Sequence, residues 1–151
     1  MTLTVTVQDA GLGLALTRMT ALLRDMRPIY RPMGAKLEQN VHIRMDTFRA
    51  PDGTAWAVWA PATAKARAAS GRGTLLSYTG RMRASLTHFA DSQGVVVGFG
   101  VAYAVPHETG TKHMPKRALL FDNGNLGKDD LDDALKAAMA AFRKQLPLQT
   151  P

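Results

Sequence analysis

Residues 95–120 read VVVGFGVAYAVPHETGTKHMPKRALL, and the fold class turns on how this stretch divides. Residues 95–97 are three valines, which favour a strand, and an unbroken apolar triplet points to burial on both faces. Gly98 and Gly100 flank Phe99, the pattern of a bulge or of close backbone approach. A short extended piece carrying Tyr103 follows, then the polar loop His107-Glu108-Thr109-Gly110. Pro115 leads the chain back into Ala118, Leu119 and Leu120. In this reading the Glu108 carboxylate accepts hydrogen bonds from loop N–H groups or pairs with Arg117. Gly110 takes a backbone conformation that other residues resist, and Tyr103 packs its ring under the loop.

Upstream, residues 84–90 (ASLTHFA) read as a second strand, with Asp91-Ser92-Gln93-Gly94 as the hairpin turn between the two. Residues 74–78 read as a shorter strand ended by Thr79-Gly80. Downstream, Leu119-Leu120-Phe121 is a short apolar segment and Asp122-Asn123-Gly124-Asn125 is a turn. Asp129, Asp130, Asp132 and Asp133 load the start of a last helix, where the positive end of the macrodipole favours acids. Leu131, Leu135, Ala138, Met139 and Phe142 recur at helical spacing and are its expected buried face.

At the other end, residues 2–7 (TLTVTV) alternate as a half-buried strand does. Asp9 can cap a helix from Ala10, whose apolar stripe is Leu12, Leu16, Met19, Leu22, Leu23 and Met26, ending near Arg27 before Pro28. A second helix is expected from Pro32, with Leu37, Val41, Met45 and Phe48 on one face. Ala50-Pro51-Asp52-Gly53 is a turn by its chemistry. Trp56 and Trp59 are core or interface anchors. Residues 61–69 (PATAKARAA) form a short helix or arm, within a flexible basic segment reaching about residue 74. The order predicts an α+β domain spanning the chain: two N-terminal helices, a mostly antiparallel β-sheet, and a C-terminal helix packed on the sheet, with a frayed tail from about 146.

The composition of the 151 residues is ordinary for a globular chain, with 46% hydrophobic residues, and the absence of cysteine removes disulfides, thiolate nucleophiles and Cys-based zinc sites. No apolar run approaches a membrane span, and the N-terminus lacks the pattern of a signal peptide. The net charge is +7. No acid lies between Asp52 and Asp91, where Lys65, Arg67, Arg72, Arg81 and Arg83 fall. Such an excess fits a polyanion, an acidic protein surface, or solubility alone.

His107 and Glu108 stand side by side, but there is no H-E-x-x-H pattern. No G-x-S-x-G elbow supports a triad, although a triad is assembled in space and stays open at this level. The Ser70-Gly71-Arg72-Gly73 break lacks the Gly-Lys-Ser/Thr ending of a phosphate loop. The expectation is no catalysis, no cofactor and no metal.

Tyr103-Ala104, His107-Glu108-Thr109-Gly110 and Pro115-x-Arg117-Ala118-Leu119-Leu120, in this order, resemble the signature of the phage virion morphogenesis family, the tail completion proteins of Mu-like and related tailed phages. Phe48, Asp52-Gly53, Trp56, Thr63, Lys65, Leu75-Leu76, Thr79-Gly80-Arg81-Met82, Ser85 and the valine strand fit in sequence, over roughly residues 10–145. Glu108-x-Gly110-Thr111 also fits the neck proteins of siphophages. Pro115-Lys116-Arg117-Ala118 departs from the family's Pro-Ala-Arg-Pro.

The resemblance implies a non-enzymatic virion component of the head–tail neck: a tail terminator, tail completion protein or neck ring, present in host cytoplasm during assembly. It implies a ring, usually hexameric, that contacts the tail tube protein and the head connector or stopper while genomic DNA passes through its lumen. Trp56, Trp59, Tyr103, His107, Glu108, Gly110 and Arg117 are then expected at interfaces. Lys65, Arg67, Arg72, Arg81 and Arg83 are expected to face DNA or the connector. The alternative is a small basic nucleic-acid-binding protein, resting on the charge and on Arg72, Arg81 and Arg83 near Tyr78. A metal-dependent hydrolase using His107 and Glu108 ranks last.

Overall fold

The structure is a computed structural model that describes residues 10–71 and 73–146. The expected strand at residues 2–7, the cap Asp9, Arg72 and the tail from 147 lie outside the described residues. The elements in order are α1 (Ala10–Arg24), α2 (Arg27–Thr47), α3 (Pro61–Ser70), α4 (Arg81–Ala84), β1 (Leu86–Ala90), β2 (Val95–Phe99), α5 (Ala104–Thr109), β3 (Phe121–Asp122), β4 (Asn125–Leu126) and α6 (Lys128–Gln145). This is the expected α+β class. No helix among the described residues is long and apolar enough to cross a membrane.

α1 ends at Arg24, three residues short of the end expected near Arg27, and α2 starts at Arg27, five residues before the predicted Pro32. Pro28 sits in its first turn, where its missing N–H costs nothing, and Pro32 lies inside the helix. The early start is fixed by Asp25. Its carboxylate accepts from the Arg27 backbone N–H at 3.1 Å and from the guanidinium Nε and Nη2 at 2.8 and 2.7 Å. The Arg27 guanidinium holds the Asp25 pKa down at about 2. The α1–α2 elbow is therefore tied from Asp25 to the first residue of α2.

α2 is the spine of the molecule. One part of it packs against α6 and another against the β1–β2 hairpin. The C-terminal helix thus lies on α2 rather than on the sheet, a correction to the sequence reading. The reason lies in which face of α6 is small. Its inward positions carry Asp130 and Ala134, whereas Leu131, Leu135, Met139 and Phe142 are exposed. Of the buried face expected for α6, Ala138 alone is partly covered. The stripe of α1 is likewise open: among its described side chains only Leu22 is buried.

The hairpin pairs Leu86 with Phe99 through Ala90 with Val95, antiparallel and in register. Asp91 makes the turn as expected, its carboxylate accepting from the Gln93 and Gly94 N–H groups at 2.8 and 2.9 Å. Three expectations fail here. Gly98 pairs with Thr87 without a bulge. Val96 is exposed beside Phe89, so β2 buries one face only. Residues 74–78 form a turn closed by a Thr74–Ser77 bridge, not a strand, and residues 81–84 are helical. Gly34 marks where α2 lies on the hairpin: a Cβ there would stand 2.6 Å from the His88 ring and 2.7 Å from Val95.

The core gathers Val41, Met45, Trp56, Met82, Leu86, Ala104 and Leu119. Leu119 is fully buried, which stabilises the fold by about 2 kcal/mol. Phe48 ends α2 in the left-handed region at φ 56°, and its carbonyl accepts from the Trp56 N–H at 2.8 Å. The Pro51-Asp52-Gly53 turn therefore delivers Trp56 to the end of α2. The Asn123-Gly124 turn joins β3 to β4 with φ 47° and 86°, the primed geometry that suits tight hairpins.

Candidate functional site

The stretch predicted as an extended piece and polar loop is a short helix, α5, followed by a self-tied loop. Six residues are too few to hold a helix alone. α5 persists because Ala104 is buried in the core and because its far end is tied down. The Arg117 N–H donates to the His107 carbonyl at 2.8 Å, and Thr111 and Met114 exchange backbone bonds across the intervening turn. Gly110 has φ +76°, and a Cβ there would meet the Lys116 backbone nitrogen at 3.0 Å. The expected special backbone at Gly110 is present, for both reasons.

Glu108 anchors the return strand. Its carboxylate accepts from three successive backbone N–H groups: Leu119 at 2.6 Å, Leu120 at 3.0 Å and Phe121 at 2.8 Å. This is the first of the two arrangements expected for Glu108. The second, a pair with Arg117, does not form. The buried Arg117 guanidinium instead donates to the Ala57 and Val58 carbonyls at 2.8 and 3.1 Å. Burial lowers its pKa from the usual arginine value. Trp56 completes the clasp, its indole N–H donating to the Ala118 carbonyl at 3.0 Å. The segment after Trp56 and the segment before Phe121 are thereby held side by side.

On the outer side of this clasp lies an open cleft of about 530 Å³. Trp59, Arg67, Arg81, Tyr103, His107 and Arg117, all singled out from the sequence, line it together with Tyr78. The Arg67 guanidinium lies 3.8 Å from the Tyr78 ring centroid and 5.9 Å from that of Trp59, a cation–π contact that orients the charge across the cleft. His107 Nδ1 is shielded from solvent without a hydrogen-bond partner. Burial, and then the nearby Arg117 charge, lower the His107 pKa from 6.5, so the ring is neutral at physiological pH. Tyr103 is half exposed at the start of α5 rather than packed beneath the loop.

The other expected site residues lie elsewhere. Trp56 and Glu108 hold the clasp from the interior side. Lys65 is exposed on α3, outside the cleft lining. Arg83 forms a bidentate pair with Asp46, its Nη2 at 2.9 Å from Oδ2, so its charge is locally matched. The pairing raises the Arg83 pKa and lowers that of Asp46. Among the described residues, no group of three His, Asp or Glu could hold a metal ion.

Sequence reasoning missed the ion pair between α2 and α6. Asp130, read as a helix-start acid, is fully buried against Arg44 and accepts from the Asn40 amide at 3.0 Å. Arg44 also donates to the Leu119 carbonyl at 2.9 Å. By its charge Arg44 reads as lying off the Leu37–Val41–Met45 stripe, but its place three residues after Val41 and seven after Leu37 puts it on the covered side of α2, where a charge needs a partner.

The clasp and cleft define a class: a small α+β chain whose polar machinery fixes backbone and presents a basic, aromatic surface. A sequence model of the phage virion morphogenesis family matches residues 7–145. The chain belongs to this family. No curated protein and no solved structure matches it significantly.

Proposed function

We propose that the chain is a non-catalytic structural subunit of the phage head–tail junction: a tail completion or terminator protein, or a neck ring. It works as a ring-forming homo-oligomer, hexameric as the family resemblance implies. It joins the tail tube to the head connector or stopper around the DNA channel. Family membership over residues 7–145 supports a role in virion assembly. The geometric observation that carries the rest is the division of labour between His107 and Glu108. Glu108 is occupied by three backbone N–H groups, and His107 faces the cleft. The two cannot act on one reacting atom without dismantling the clasp, which favours a contact surface over an active site.

Arg67 and Arg81, with Trp59, Tyr78 and Tyr103, form the contact surface for DNA or for an acidic connector face. Lys65 and Arg72 extend that charge along the same stretch of chain, while Arg83 is taken up by Asp46. The alternative, a free nucleic-acid-binding protein, draws on the same cleft. It requires DNA affinity that falls steeply with salt.

The test is location. The expected result is that purified virions contain the chain, detected by mass spectrometry, and that electron microscopy of tagged particles places it at the neck. Phage carrying Glu108→Ala or Gly110→Val yield tailless or leaky particles. A chain absent from purified virions, or normal particles from both variants, overturns the reading.

A further inference from the structure

α1 and α6 each carry an apolar stripe that nothing among the described residues covers. On α1 it is Leu16, Met19 and Leu23, and on α6 it is Leu131, Leu135 and Met139, with exposures from 41% at Met19 to 70% at Leu23. Both stripes follow helical spacing and run for about two turns. Isolated apolar residues on a surface need no explanation, but a continuous stripe marks a contact.

α1 cannot swing back to cover its own stripe without breaking the elbow. Asp25 ties both the backbone and the guanidinium of Arg27, and Leu22 seats the last turn of α1. α6 cannot roll its stripe inward either, because Asp130 is locked to Arg44 and Asn40. The two stripes are therefore held open by polar contacts.

We infer that the α1 arm of one copy docks antiparallel on the Leu131–Leu135–Met139 stripe of a second copy. Leu23 then lies opposite Leu131, Met19 opposite Leu135, and Leu16 opposite Met139. The opposite direction matches the apolar spacing equally well, so charge selects between them. Antiparallel docking brings Arg24, in the last turn of α1, to the end of α6 where Lys128 and Asp132 pair with each other at 2.8 Å and the exposed Asp129 is left to meet it. Parallel docking would set Arg24 beside Arg143 and Lys144. The antiparallel arrangement also opposes the two helix dipoles. The two surfaces differ, so the contact is head-to-tail, the kind that closes into a ring or runs on as a filament. The inference rests on the self-association in the functional reading above, not on the neck location.

The chain has no cysteine, so every disulfide can be an engineered one. Two full-length chains of different tag mass, one with Leu23→Cys and one with Leu131→Cys, are mixed and oxidised. A Leu23→Cys and Met139→Cys mixture reports the parallel direction. The expected result is a mixed covalent dimer from the first mixture and little from the second. Cross-linking that favours the second mixture overturns the antiparallel contact. Predominant Leu131→Cys self-dimers, or no cross-link at any concentration, overturn the docking itself. In parallel, Leu135→Asp weakens self-association at least tenfold by sedimentation with an unchanged circular dichroism spectrum, whereas Leu126→Asp on exposed β4 does not. Equal effects from both variants count against the inference. A cross-link formed by a chain that is absent from virions would leave this contact standing and refute only the head–tail placement.

Discussion

The Arg44 guanidinium and the Asp130 carboxylate form an ion pair in which the carboxylate has no solvent exposure. Arg44 also reaches the Leu119 carbonyl, so one side chain links α2, α6 and the clasp. Removing one partner strands the other charge in the interior. Asp130→Ala is expected to cost about 3–5 kcal/mol, whereas replacing both residues with leucine costs far less. Urea denaturation of the two variants distinguishes these outcomes. A loss under about 1 kcal/mol for Asp130→Ala would show that Arg44 finds another partner.

Glu108 and the N–H groups of Leu119, Leu120 and Phe121 make the second test. Glu108→Ala leaves three donors without their acceptor and is expected to cost about 3 kcal/mol. Glu108→Gln separates the two oxygens. Leu119 and Leu120 share Oε2, and Phe121 uses Oε1. A glutamine oxygen in the Oε2 position keeps the first two bonds and turns an amide donor toward Phe121. Amide exchange should therefore accelerate at Phe121 before Leu119 in the glutamine variant, and at all three in the alanine variant.

Gly34 tests the seat of α2 on the hairpin. In an open helix, Gly→Ala gains about 1 kcal/mol from propensity. Here the added methyl meets His88 and Val95 inside contact distance. Gly34→Ala is expected to destabilise by about 1–3 kcal/mol, with chemical shifts moving along β1 and β2. A stabilised variant would mean that the hairpin lifts easily from α2.

His107 predicts a pH dependence. Its folded-state pKa lies below 6.5, so between the folded and unfolded values the unfolded chain binds more protons. The stability that neutral His107 provides is present above pH 6.5 and is lost as pH falls from there toward the folded value. The wild-type urea midpoint should drop between pH 7.5 and pH 5.5. His107→Gln should flatten that drop while leaving the acid loss from paired carboxylates such as Asp46 at lower pH. An unchanged slope in the variant would assign the effect to another group.

Much of this architecture is legible from local chemistry. Asp91-Ser92-Gln93-Gly94 and Asp122-Asn123-Gly124-Asn125 turn because their side chains and positive-φ residues satisfy the backbone locally. The body of α1 and the extent of α6 follow from apolar period, and Trp56 is an anchor by size alone. Glu108 as an acceptor for loop N–H groups and Gly110 as a special backbone position were also readable. The six cleft residues stand out individually, but nothing in their spacing shows that α3, α4, α5 and the loops carrying Trp59 and Arg117 bring them to one place.

The sequence by itself determined the helix-rich α+β class, the turns and the family, because these depend on neighbours in the chain and on motif order. Tertiary structure alone decided that α5 is helical, that α2 begins before Pro32, and that α6 turns Asp130 inward and its leucines outward. Periodicity shows that a helix has an apolar face but not what that face meets. In α6 the buried Arg44–Asp130 pair outweighs the pull of Leu131, Leu135 and Met139, because a charge left unpaired inside costs more than a leucine left outside.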